Sequence, residues 1–85
     1  MRVLIPSALL SYTGSTQVEA TGGSLGAVLD DLDRRFPGIR FRIVDEHGRI
    51  RRHIRFFHRG VPVLDPDAPL DDDGELHIVQ ALSGG

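Results

Sequence analysis

Cysteine is absent from the 85 residues, which excludes disulfides, thiolate catalysis and cysteine-ligated metals. Lysine is absent too, and all ten basic residues are arginines. No side-chain amine is therefore present to receive an isopeptide bond; only the N-terminal amine could be acylated. No apolar run approaches the ~20 residues needed to cross a bilayer. Met1-Arg2 leads into Val3-Leu4-Ile5 and then Pro6, too short a stretch for a signal-peptide core. Neither membrane association nor export is expected, and the expected compartment is the cytoplasm. The formal net charge of −2 gives no general drive toward nucleic acid.

What is present is the material of one small domain. A chain of this length buries roughly 60–65% of its unfolded surface, enough for one core but not for a deep catalytic cleft with a lid. Arg2 to Ile5 reads as a strand ended by Pro6. Ser7 to Ser15 reads as a turn at Gly14, with Ala8, Leu9, Leu10 and Tyr12 packed beneath it. Thr16 to Thr21 alternates polar and apolar as a half-buried strand does. Ser24 is placed to cap a helix whose apolar face is Leu25, Val28, Leu29, Leu32 and Phe36. Asp30 with Arg34 and Asp31 with Arg35 stand at i,i+4, and Pro37-Gly38 stops the helix. Ile39 to Val44 reads two ways: alternation suits a strand, while Ile39 and Ile43 suit one helical turn. Arg52 to Arg59 reads as a strand with Ile54 and Phe56 inward. Val61-Pro62-Val63 is a short edge segment. A polar connection pinned by Leu70 leads to a last strand, Glu75 to Gln80, with Leu76 and Ile78 inward.

The order strand, strand, helix, then two or three strands predicts an α+β fold. First and last strands are both apolar enough to be central. A central pair made by the two chain ends, with one main helix across a mixed sheet of four to five strands, is the ubiquitin-like β-grasp arrangement. The domain is assigned to residues 1–81, with residues 82–85 as a flexible tail.

That tail, Leu82-Ser83-Gly84-Gly85, closes the sequence. Without Cβ atoms, two glycines let a backbone pass through a narrow channel and reach an active site carboxylate-first. Other constellations carry less. His53 and His58 are five apart, so on one strand they face opposite sides, and no metal site is expected. The serines lack a nucleophile-elbow context. Asp65, Asp67, Asp71, Asp72 and Asp73 lack the glycine and glutamate spacing of an EF-hand. Arg49, Arg51, Arg52, Arg55 and Arg59 form a basic stripe without an aromatic ladder, which suits a solvent face or an acidic partner better than nucleic acid.

The chain resembles the bacterial ubiquitin-like sulfur carriers over nearly its whole length. The family includes the small subunit of molybdopterin synthase, the thiamin sulfur carrier and a sulfur carrier for cysteine synthesis. The resemblance lies in Ile5-Pro6-Ser7 with Tyr12-Thr13-Gly14, and in Ser24-Leu25-Gly26-Ala27-Val28 with Asp31-Leu32. It continues in Pro37-Gly38-Ile39-Arg40, Asp73-Gly74-Glu75-Leu76 and the Ala81-Leu82-Ser83-Gly84-Gly85 end. The early stretch looks most like the cysteine-synthesis carriers.

The resemblance implies that the chain is not an enzyme. A ubiquitin-activating-like adenylyltransferase would use ATP with Mg²⁺ to adenylate the Gly85 carboxylate. A sulfur nucleophile would then leave a thiocarboxylate for a sulfur-accepting enzyme, either a PLP-dependent cysteine synthase or the molybdopterin synthase large subunit. No cofactor would be bound by the chain itself. Alternation turns Arg55, Phe57 and Arg59 outward, with His77, Val79 and Ala81 outward on the last strand. The resemblance puts a partner-binding apolar residue six positions before the terminus, at Val79. Phe57, Val79 and Ala81 are thus the expected docking patch. The alternatives are a molybdopterin synthase small subunit, a protein modifier joined through amide bonds, and a β-grasp module without covalent chemistry.

Overall fold

A computed structural model describes residues 1–71 and 74–81. Strand β1 is Arg2–Leu4, followed by a 3-10 turn at Ser7–Leu9 and helix α1 at Leu10–Thr13. β2 is Gln17–Glu19, α2 is Leu25–Arg35 and α3 is Ile39–Ile43. β3 is Ile54–His58, β4 is Val61–Val63 and β5 is Glu75–Gln80. The five-stranded sheet has the order β2-β1-β5-β3-β4. β1 and β5 pair in parallel, Val3 opposite Leu76; the other pairings are antiparallel. The first and last strands are thus neighbours near the middle of a mixed sheet, the expected β-grasp arrangement.

The sheet's inward residues, Val3, Ile54, Phe56, Leu76 and Ile78, meet the apolar stripe of α2. Leu25, Val28, Leu29 and Leu32 are all at most 1% exposed, as their helical spacing requires. The Ala27 amide donates to Ser24 Oγ at 3.2 Å, so the cap is formed as expected. A second hold on the same turn has no side-chain signature. Leu25 and Gly26 amides donate to the carbonyls of Ala68 (3.1 Å) and Pro66 (2.8 Å), and the Leu70 amide donates back to Gly23 O (3.0 Å). The 65–70 connection is therefore docked on the start of α2, with Leu70 buried beneath it.

Several expectations change. The pair Asp30–Arg34 does not form. Asp31 accepts from the Thr21 amide (3.0 Å), from Arg34 and from Arg35 (3.2 Å). Asp30 instead lies 2.9 Å from Arg40 Nε at the start of α3. The Thr21 amide holds the Asp31 carboxyl below its ordinary pKa, helped by both arginines. The expected turn at Gly14 is present, at φ 69, but residues 7–13 before it are helical. Leu9 is buried there, but Ala8 is exposed. Within the ambiguous stretch Ile39–Ile43 resolves as helix and Val44 is extended: Asp33 Oδ1 accepts from the Gly38 and Arg40 amides, both at 3.1 Å, and caps α3. That turn buries Ile39 and Ile43 together and leaves Phe41 56% exposed. His53 lies just before β3 rather than on it.

Candidate functional site

The site is built around the end of β5. This strand is clamped along one side by β1 and along the other by β3, so the backbone leaves the sheet at a fixed place. The last described contact is Ala81, whose amide donates to His53 O at 2.7 Å. Leu82, Ser83, Gly84 and Gly85 lie outside the described residues.

The face of the sheet opposite α2 carries the expected patch. Register puts Phe57 opposite His77 and Val79 opposite Arg55, so Phe57 and Val79 share a face as diagonal neighbours. Val79 is 41% exposed and Ala81 is exposed, while Phe57 is only half-buried at the surface. Arg55 is turned away from Val79: its Nη1 donates to Arg52 O (2.6 Å) and to Ile54 O (2.9 Å). The register adds two members that alternation in single strands did not supply. Leu4 stands opposite His77 from the β1 side, and Pro62 stands opposite Phe57 from β4. One row therefore runs Leu4, His77, Phe57, Pro62 across four strands. The signal for Leu4 was present, since Val3 inward forces Leu4 outward; what was missing was the neighbour relation.

Polar contacts border one edge of this row. Arg2 Nη1 is 3.0 Å from Glu75 Oε2, and His77 Nε2 is 3.4 Å from Glu75 Oε1. Both contacts meet at Glu75, on one edge of the row, and Leu4, Phe57, Pro62 and Val79 are the apolar residues of this face. Among the described residues no three of His, Asp and Glu assemble as a metal-ligand set. Among the same residues no helix is long and apolar enough to cross a membrane.

The chain matches no protein-family model. It is 31% identical to the sulfur carrier protein CysO of Mycobacterium tuberculosis, over 98% of this chain and 96% of that protein. The same figures hold for the sulfur carrier protein CysO of Mycobacterium bovis. Among solved structures, it superposes on a chain of the Amycolatopsis orientalis BexX/CysO complex with a TM-score of 0.90 and 32% identity, covering 99% of this chain and 98% of that one. Mycobacterium tuberculosis CysO gives a TM-score of 0.84 at 30% identity, covering 95% and 98%. Haloferax volcanii SAMP1, at 24% identity and a TM-score of 0.78 over 100% and 98%, shares the fold.

Proposed function

The chain belongs to the family of the sulfur carrier protein CysO, and from that membership we propose that it carries sulfur as a thiocarboxylate on Gly85. The carboxylate oxygen of Gly85 attacks the α-phosphorus of ATP, and pyrophosphate leaves with its Mg²⁺. The acyl adenylate then accepts hydrosulfide at its carbonyl carbon, AMP departs, and the thiol proton is lost to solvent. The product is a thiocarboxylate anion. Its sulfur is softer and less tightly hydrated than oxygen, so it attacks an activated substrate that a carboxylate would not.

The observation that carries this reading is the strand β5, clamped between β1 and β3, followed in sequence by Leu82-Ser83-Gly84-Gly85. The sheet holds the carrier in one pose while the glycines give a reacting end without side-chain bulk. The domain then supplies recognition, and the chemistry belongs to its partners. These are an adenylyltransferase of the ubiquitin-activating type, which binds the ATP and Mg²⁺, and a PLP-dependent cysteine synthase that takes the sulfur. A family member was solved in complex with a second protein, BexX, which is in keeping with work done through partners. Phe57, Val79 and Ala81, extended by Leu4 and Pro62, form the docking surface.

Incubation with the adenylyltransferase of the same genome, ATP and sulfide, followed by intact-mass spectrometry, tests this. The expected result is a sulfur-for-oxygen mass shift that vanishes when Gly85 is deleted. A shift that survives the deletion, or no shift in the full chain, would refute it.

A further inference from the structure

The arginines are segregated along the chain. Residues 40–59 hold seven of the ten, with two carboxylates, while the remainder holds three arginines and ten carboxylates. The net balance is +5 in that segment and −7 elsewhere. Part of this positive charge gathers where β5 leaves the sheet.

There α3 and the residues before β3 wall an open pocket of about 400 Å³. Leu9 and Ile54, both buried, make an apolar floor. One wall is Phe41 with Arg51 laid over it. Arg51 Nε donates to Phe41 O at 2.8 Å, and the guanidinium carbon stands 4.7 Å from the ring centroid. This double hold sets the orientation of the guanidinium before anything binds, which lowers the ordering cost of a partner. Arg42 and Arg51 make the rim cationic, and His53 and Gln80, the last residue of β5, add an imidazole and an amide.

No carboxylate lines the pocket, and neither Arg42 nor Arg51 makes an ion pair with a described residue. Uncompensated cations around an apolar floor are complementary to an apolar side chain carried between carboxylates. A nucleic acid fits less well: the rest of the chain is net negative, and one aromatic is not a stacking ladder. The pocket also adjoins Ala81, the last described residue before the tail, since the His53 carbonyl on its rim accepts the Ala81 amide.

We propose that this pocket is a second docking site, which takes an acidic segment of the activating enzyme bearing one apolar residue between Asp or Glu residues. It would hold and steer the carrier from the side opposite the Val79 patch's polar edge, around the root of the tail. The inference rests on the thiocarboxylate reading.

The test is the steady-state rate of thiocarboxylate formation with the adenylyltransferase of the same genome, ATP and sodium sulfide, measured against salt. Wild type is compared with Arg42→Gln/Arg51→Gln and with Phe41→Ala, each first checked by thermal unfolding. For the double variant we expect KM to rise about tenfold or more at low salt with kcat little changed, because rim charges act on encounter. Its KM should also lose most of the salt dependence seen in wild type, and Phe41→Ala should raise KM while keeping that dependence. Unchanged KM in the double variant, with wild type still activated, overturns the docking inference and leaves the carrier reading intact. No thiocarboxylate on wild type overturns the carrier reading and this inference with it. Amide shifts of Phe41, His53 and Gln80 identify other occupants without enzyme. If they move on dilution the occupant is a second copy, and if they move on removal of residues 82–85 it is the chain's own tail; either result overturns the proposal.

Discussion

Replacing Gly22 by alanine should loosen the whole domain, and the structure gives the size of the effect. A Cβ at Gly22 would stand 2.6 Å from the Val28 nitrogen and 2.8 Å from the Ala27 carbonyl carbon. Both are backbone atoms of the first turn of α2, far inside the ~3.5–4.0 Å of an ordinary carbon contact. The turn has little room to retreat. Ser24 caps it, and the Ala68 and Pro66 carbonyls hold its Leu25 and Gly26 amides. Overpacking of this kind costs about 1–3 kcal/mol. For a domain of this size each kcal/mol lowers Tm by about 4–8 °C, so Gly22→Ala should melt roughly 5–20 °C lower. The adjacent Gly23 is the control, because a Cβ there meets nothing within 4 Å. Gly23→Ala should stay within about ±0.5 kcal/mol of wild type. Thermal unfolding followed by circular dichroism compares the two. Coincident melting curves would refute the claim that α2 is fixed against the 22–24 turn.

Two further outcomes are expected. Val79→Asp should leave stability within about ±0.5 kcal/mol, since the side chain is already largely at the surface, but raise KM for activation; a fall in the urea midpoint would reverse its outward assignment. Acid should destabilise the fold through Asp31 and Asp45, whose carboxyls are both held below the ordinary value of 3.8. For Asp45 the Arg49 amide is the main cause, with the His47 amide behind it. The sign follows from the folded values being the lower ones. The stabilisation is complete above about 3.8 and is lost as pH falls through the folded values. Urea unfolding of Asp31→Asn should therefore lose less stability than wild type between neutral and strongly acidic pH, and an equal loss would contradict this.

The parts of the fold legible in the sequence are those with a period or a cap. The stripe from Leu25 to Leu32 after Ser24 could only be a capped amphipathic helix. Alternation in 54–58 and 75–80 assigned Phe56, Leu76 and Ile78 inward and Phe57 and Val79 outward. Ile39 to Ile43 satisfied both periods, and a distant carboxylate, Asp33, decided between them. The docking of 65–70 on α2 runs through backbone carbonyls, which leave no mark on residue identity. The patch was half legible for a similar reason. The outward placing of Phe57 and Val79 follows from alternation within each one's own strand, whereas Leu4 and Pro62 are seen to join them only through register between strands. The pocket under Phe41 needed still more, because it exists only where α3 meets the residues leading into β3.

The clamping of β5 from both sides has a mechanical meaning. An enzyme that draws the end of the chain into a channel, while holding the body, pulls along the strand axis. β5 meets β3 at five register positions and β1 at three. Such a pull loads these two ladders together in shear, so their hydrogen bonds share the force and cannot be opened one after another from an end. The same bonds in an edge strand peeled sideways would fail singly at lower load. The domain can thus be gripped and tugged by its tail without unravelling, as a rope spliced into its neighbours on both sides holds where one tied at the margin slips.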